Sequence, residues 1–242
     1  MVHTAPLLRG LRAAQLFTDP KDEGESYTSI RLAPEDDHLT ITAANALSMF
    51  ITTAPLVEAA WSDAGVIDIP VWQAKEIITI YAGKNEFEDH LRITADPVRV
   101  RTVDSSGFID MLDHNWPRRA MSEAAPDVPA ILTGIRRADR DEVPPVGAAL
   151  MRRIAQAANV FNRADVKIAA TTSHYIFQIG PYATATASIP DEHRPEQDGA
   201  DREPLDATDD DLVSEPTSQQ PRPQNNRGGF RLVAANPPEG TL

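Results

Sequence analysis

The sequence predicts an α+β protein assembled from repeated units, each a helix followed by short antiparallel strands. Three observations predict it. Apolar residues recur at helical spacing three times, each time followed by runs rich in β-branched residues. The second and third units align without a gap at an offset of 75 residues: Pro70-Val71 meets Pro145-Val146, and LRITA at 91–95 meets VKIAA at 166–170. From Asp191 onward apolar residues thin out and Pro, Asp, Glu, Gln and Ser take over, so the folded part is expected to close near residue 190.

The first helix is expected near Pro6, whose fixed φ suits a first helical position, with Thr4 as its cap. Leu7, Leu11 and Ala14 then share one face, and Arg9 and Arg12 lie on the other side. Strands are expected at 26–32, 39–42 and 48–53. The stretch HLTITAANALSMFITTAPL supplies two of them around a turn at 43–46, and EDD at 35–37 reads as the hairpin turn before it.

The second unit runs from a strand at 66–69 into a helix at 70–81, closed by Gly83. Val71, Ala74, Ile77, Ile78 and Tyr81 form its apolar stripe, while Lys75, Glu76 and Thr79 face away. HLRITADPVRVRTVDSSGFIDML then supplies three strands, with Arg99 and Arg101 on one sheet face. Residues 116–143 break the pattern. They are too short for a helix and three strands, and read as a connector with one helix at 129–138, or as a degenerate half-unit.

In the third unit Leu150, Met151, Ile154, Ala157, Ala158 and Phe161 make an apolar arc. The opposite arc carries Arg152, Arg153, Gln156 and Asn159, with no acid among them. DVKIAATTSHYIFQIGPYATATASIP supplies three strands. Residues 191–229 read as disordered. The end regains Phe230, Leu232 and Val233, by chance or as a short docking peptide.

The net charge of −13 is unevenly spread: −9 over 1–115, +3 over 116–190 and −7 over 191–242. An acidic total argues against nonspecific coating of DNA but leaves room for a local basic surface. The chain has no cysteine, which excludes disulfides, thiolate metal sites and a cysteine nucleophile, and fits a reducing cytoplasm. No apolar run approaches the roughly 20 residues of a membrane span, and the N-terminus does not read as a signal peptide. There is no GxGxxG, no GxxxxGK[ST] and no nucleophile elbow. His3, His38, His90, His114, His174 and His193 show no ligand spacing, and DDD at 209–211 reads as a solvated charge run. Neither a cofactor nor a catalytic residue is expected.

Helix-then-strands half-units with small apolar helix faces resemble the DNA polymerase sliding clamps. HLTITAANALSMFITTAPL resembles the family's strand-turn-strand around LTATD, and GVIDIPVWQAKEIITIYAG the bacterial clamp strand entering its second helix. LRITADPVRVRTVDSSGFIDMLDHNWP is similar to the closing strands of a clamp domain, and VKIAATTSHYIFQIGPYATATASIP to the end of a final domain. These stretches cover roughly residues 5–190. The sequence departs from the pattern in having about one and a half domains instead of three, Asn45 at the turn Asp, and a 52-residue acidic tail.

The resemblance implies a DNA clamp fold: 1–115 as a first clamp domain, 116–143 as connector or degenerate half-unit, 144–190 as the remainder of a second domain, and 191–242 as the acidic tail. It implies a cytoplasmic, non-enzymatic processivity factor, a homo-oligomeric ring with a trimer favoured. The expected partners are double-stranded DNA, and a DNA polymerase and clamp loader bound through a hydrophobic peptide groove. The DNA-facing set is Arg9, Arg12, Lys75, Arg152 and Arg153, all off the apolar helix faces; Arg118, Arg119, Arg136 and Arg137 in the connector form a secondary set. Phosphate contacts of this kind hold position without reading sequence. A scaffold protein of repeated α/β units and a hydrolase with dispersed active-site residues are the alternatives from other classes.

Overall fold

A computed structural model describes residues 1–19, 21, 27–57, 65–82, 90–104, 113–118, 125–135, 142–163 and 165–194. The expected helix stop at Gly83, the strand within 105–112, Arg119, Arg136, Arg137 and the chain beyond 194 lie outside those residues.

A two-residue strand, β1 (Val2–His3), leads directly into α1 (Thr4–Ala14), so the N-cap position falls on His3. Thr4 is therefore the first helical residue, and it is buried with the core. Then come β2 (Ser29–Pro34), β3 (His38–Ala44), β4 (Ser48–Pro55) and β5 (Ile67–Pro70). Pro70 ends β5 in extended backbone, one position ahead of α2 (Val71–Tyr81). Strands β6 (His90–Ala95), β7 (Arg99–Asp104) and β8 (Asp113–Pro117) follow, then α3 (Val128–Gly134), α4 (Ala148–Val160), β9 (Val166–Ala170), β10 (His174–Ile179) and β11 (Ala183–Ser188). Arg99 and Arg101 are both exposed on one face of β7, as their spacing predicts. Among the described residues no helix is long and apolar enough to cross a membrane.

The described strands form two sheets, ordered β1-β6-β7-β8 and β5-β2-β3-β4-β11-β10-β9. Units one and two exchange strands: β1 pairs with β6, and β5 pairs with β2. Neither unit can leave the other without breaking a ladder. Unit three joins through β11, whose Ala183 to Ala187 pair with Thr52 to Ser48 of β4.

Both faces of β3 are buried. Leu39, Ile41 and Ala43 face α1, which presses so close at Gly10 that an added Cβ would lie 2.4 Å from Ile41 Cδ1 and 3.2 Å from Thr52 Cγ2. Arg31 stands across from Thr42 on the other face and forms a two-pronged pair with buried Asp68 at 2.8 and 3.0 Å. Helix α3 covers that side against β3 and β4, with Asp127 near enough to act on Arg31. The connector thus supplies a 7-residue helix, begun by an Asp127 carboxylate that accepts from Ala130 N. It starts one residue before the expected position and reaches its C-cap at Ile135.

The repeat is visible in the hairpin turns. Asn45 Oδ1 accepts from Leu47 N and Ser48 N, Asp96 Oδ1 from Val98 N and Arg99 N, and Thr171 Oγ1 from Ser173 N and His174 N. Asp96 and Thr171 stand at the same 75-residue offset as the sequence match. These side chains satisfy turn amides that the ladder leaves unpaired. The first turn spans 45–48, two residues later than expected, because β3 runs on to Ala44. The two amides donating to the Asp96 carboxylate hold its pKa below the ordinary range.

Chain order extends past 190: 191–193 form a 3-10 turn, and Arg194 reaches back to Asp191 Oδ1 at 2.9 Å and Ile189 O at 3.1 Å.

Candidate nucleic-acid interface

Helix α1 touches both α2 and α4, bringing the predicted cationic residues onto neighbouring helices. At about 100° per residue, two positions turn a side chain roughly 200° round a helix. Arg12 lies two positions from Gly10, which faces the sheet; Lys75 and Arg152 lie two positions before Ile77 and Ile154, each 1% exposed. All three are exposed, opposite the buried side of their helices. Neither α1 nor α4 contains an acid. The acid of α2, Glu76, accepts from Trp116 Nε1 at 2.9 Å.

Arg9 and Arg153 are placed differently. Arg9 is half-buried, a quarter-turn from the sheet side, in a cleft with Arg163 and Tyr182. Arg153 is also half-buried. Its Nη1 donates to Ser48 Oγ at 2.9 Å and its guanidinium lies 6.0 Å from the Phe17 ring centroid. Ser48 Oγ in turn donates to Asn45 Oδ1. Arg153 therefore ties α4 to the β3–β4 hairpin. Met151, assigned to the apolar arc of the same helix, is exposed. Arg118 is half-buried and donates to the Asp96 and Val66 carbonyls.

Two residues at these surfaces escaped the sequence reading. Trp72 is 52% exposed at the head of α2, off the Val71-Ala74-Ile77 stripe; that mismatch with the helical period was its only signal. Arg163 carried no signal, since it follows the helix. Its position comes from the α4 terminus, where Asn162 takes φ 53° and donates to Asn159 O while Arg163 N donates to Ala158 O. This is a Schellman closure with Asn in place of the usual Gly.

A second cleft of about 440 Å³ opens between α4, the β3–β4 turn and the chain leaving β11. Leu47, Leu150, Tyr175 and Ile189 give it apolar walls, with Arg153 and Arg194 beside them. Leu47 is 70% exposed.

No protein-family model matches the chain, and a search of curated proteins finds no match. Solved structures do match. The β subunit of DNA polymerase III from Thermotoga maritima superposes with a TM-score of 0.57 at 9% identity, over 81% of this chain and 65% of that one. The Pseudomonas aeruginosa β subunit gives 0.55 at 12% identity, over 80% and 65%. A Helicobacter pylori β clamp bound to a DNA ligase peptide gives 0.52 at 12% identity, over 81% and 67%.

The fold is that of a bacterial sliding clamp.

The chain spans 65% of the length of the Thermotoga and Pseudomonas subunits. Within the sliding-clamp fold, HLTITAANALSMFITTAPL is a sheet hairpin whose Leu39, Ile41 and Phe50 enter the core. Asn45 departs from the clamp family's turn Asp, yet its oxygen accepts three hydrogen bonds. An amide oxygen suffices for that geometry.

Proposed function

We propose that the protein is a DNA sliding clamp, a non-enzymatic processivity factor that encircles duplex DNA and tethers a replicative polymerase in the cytoplasm. One observation carries this reading. On a clamp fold with net charge −13, Arg12, Lys75 and Arg152 are exposed on neighbouring helices whose one acid, Glu76, is held by Trp116. Such a surface attracts phosphates at moderate density without reading bases, while the acidic remainder repels DNA from coating the exterior. Arg9 stands at the edge of this set, and Arg153 contributes through the fold it stabilises.

Encirclement requires copies of the chain to close a ring. With the connector contributing α3 as a degenerate half-unit, three chains supply the twelve half-units of a six-domain ring; with three half-units per chain, four are required. The trimer is the proposed state. The cleft beside Leu47, Leu150 and Ile189 is the proposed groove for polymerase and loader peptides, supported by its apolar walls and by the peptide-bound Helicobacter clamp.

The test is topological. Protein is threaded onto linear duplex from its free ends, the ends are then blocked with bulky caps, and salt is raised. A ring stays on capped DNA and leaves uncapped DNA. Equal release from both would overturn the reading and favour the scaffold alternative.

A further inference from the structure

The cleft that holds Arg9 lies at the seam of α1, α4, β4 and the β10–β11 turn, and has a volume of about 360 Å³. Among the described residues its lining includes two arginines, Arg9 and Arg163, and no carboxylate. Its walls also include Pro6, Phe161 and Tyr182. The last two rings lie parallel within 7°, with centroids 6.3 Å apart. They end a ladder that starts in the core, where Phe17 stacks on Phe50 at 4.9 Å and Phe50 on Phe161 at 6.5 Å. Tyr182, the outermost ring, is 49% exposed.

The cleft is also rigidly built. Arg163 lies 5.0 Å from the Tyr182 centroid, and its Nη2 donates to the Tyr182 hydroxyl at 3.1 Å. Gly180 turns the chain at φ 52°, a left-handed backbone that favours glycine, and the Arg163 stem packs beside it. Thr52 Oγ1 donates to the Tyr182 carbonyl at 2.7 Å. A planar aromatic platform beside guanidinium groups suits stacked bases with phosphates alongside.

We propose that this cleft binds single-stranded nucleic acid, one base stacking on Tyr182 and the adjoining phosphates meeting Arg9 and Arg163. It is separate from the cleft assigned to peptides. The proposal rests on the clamp reading for its role, which is to hold the unpaired strand beside a duplex threaded through the ring.

The probe is a fluorescein-labelled thymidine tetranucleotide, titrated by anisotropy onto the full chain. The Tyr182→Ala variant is expected to bind it at least about fivefold more weakly, since base stacking on an aromatic residue is a substantial share of such affinity. Tyr182→Phe keeps the platform and binds within about twofold of wild type. Two phosphate contacts give a slope of log affinity against log salt of about −1.4, falling to about −0.7 in Arg9→Ala or Arg163→Ala. Lys167→Ala, on β9 outside the cleft, leaves affinity and slope unchanged. Retention on end-capped duplex persists in Tyr182→Ala, so failure of this site and failure of the clamp reading give different results. Unchanged tetranucleotide affinity in both Tyr182→Ala and Arg9→Ala would overturn the proposal. So would capture of an acidic tetraglutamate peptide without the nucleotide.

Discussion

Arg152 and Arg153 are adjacent on α4 and have different surroundings. Arg152 is exposed, whereas Arg153 is half-buried and donates to Ser48, 105 residues earlier in the chain. Arg152→Ala is expected to lower the salt slope of duplex binding by about 0.9 and to change stability by less than about 0.5 kcal/mol. Arg153→Ala is expected to leave that slope in place and cost about 1–2 kcal/mol, through the lost hydrogen bond and the packing over Phe17. Salt titrations and urea melts of the two variants separate the roles. The sequence placed both in one acid-free polar arc, because helical period distinguishes faces about 100° apart poorly when neither residue is apolar. The hydroxyl that claims Arg153 is not local.

His3 sits on β1 across from His90, their rings 4.8 Å apart. Burial, and then the nearby His90, lower the His3 pKa from its ordinary value. Burial, and then Arg194, do the same for His174. A histidine favoured in its neutral form binds its proton more readily in the unfolded chain. Its contribution to stability is therefore full above the unfolded pKa of about 6.5 and is lost as pH falls toward the lowered folded value. The melting temperature is expected to drop between pH 7.5 and 5.5, and His3→Gln to flatten that dependence. A steeper drop in the variant would contradict the assignment.

At the scale of elements, α1 seats on the sheet through a residue without a side chain. Gly10 costs helix propensity, by about 1 kcal/mol relative to Ala, but it permits close contact with β3 and β4. Gly10→Val drives a branched side chain toward Ile41 and is expected to lower the unfolding free energy by about 1–3 kcal/mol. Adding Ile41→Val makes room and should recover part of the loss, which a double-mutant cycle in urea would measure. Most elements were legible because their signals are local. The apolar stripe marked α2, alternation marked β7 and β11, and paired β-branched runs marked β3 and β4. The errors fell at boundaries, where tertiary pairing decides. Pro70, read as a helix start, is held in extended backbone by its pairing with Ser29.

At the scale of the whole molecule, strand exchange ties units one and two together, and β11 on β4 joins unit three to them. Among the described residues the sheets end on β8 and β9, among other edges, and such edges are where another copy can extend a sheet. Light scattering is expected to give three times the 26.4 kDa chain mass. Four times that mass would assign three half-units to each chain, and a monomer at micromolar concentration would remove the ring.

The sequence alone determined the repeating helix-and-strand units, the 75-residue repeat, the acidic balance and the positions of Arg12, Lys75 and Arg152 off the apolar stripes. Each of these is a property of spacing along the chain or of composition. Tertiary structure decided which strands exchange between units, which arginine is drawn into packing, and that Arg9, Arg163 and Tyr182 share one cleft. Those outcomes depend on contacts between residues well separated along the chain, such as Thr52 with Tyr182 and Ser48 with Arg153. Neither periodicity nor composition encodes such pairings, because both are local properties of the chain.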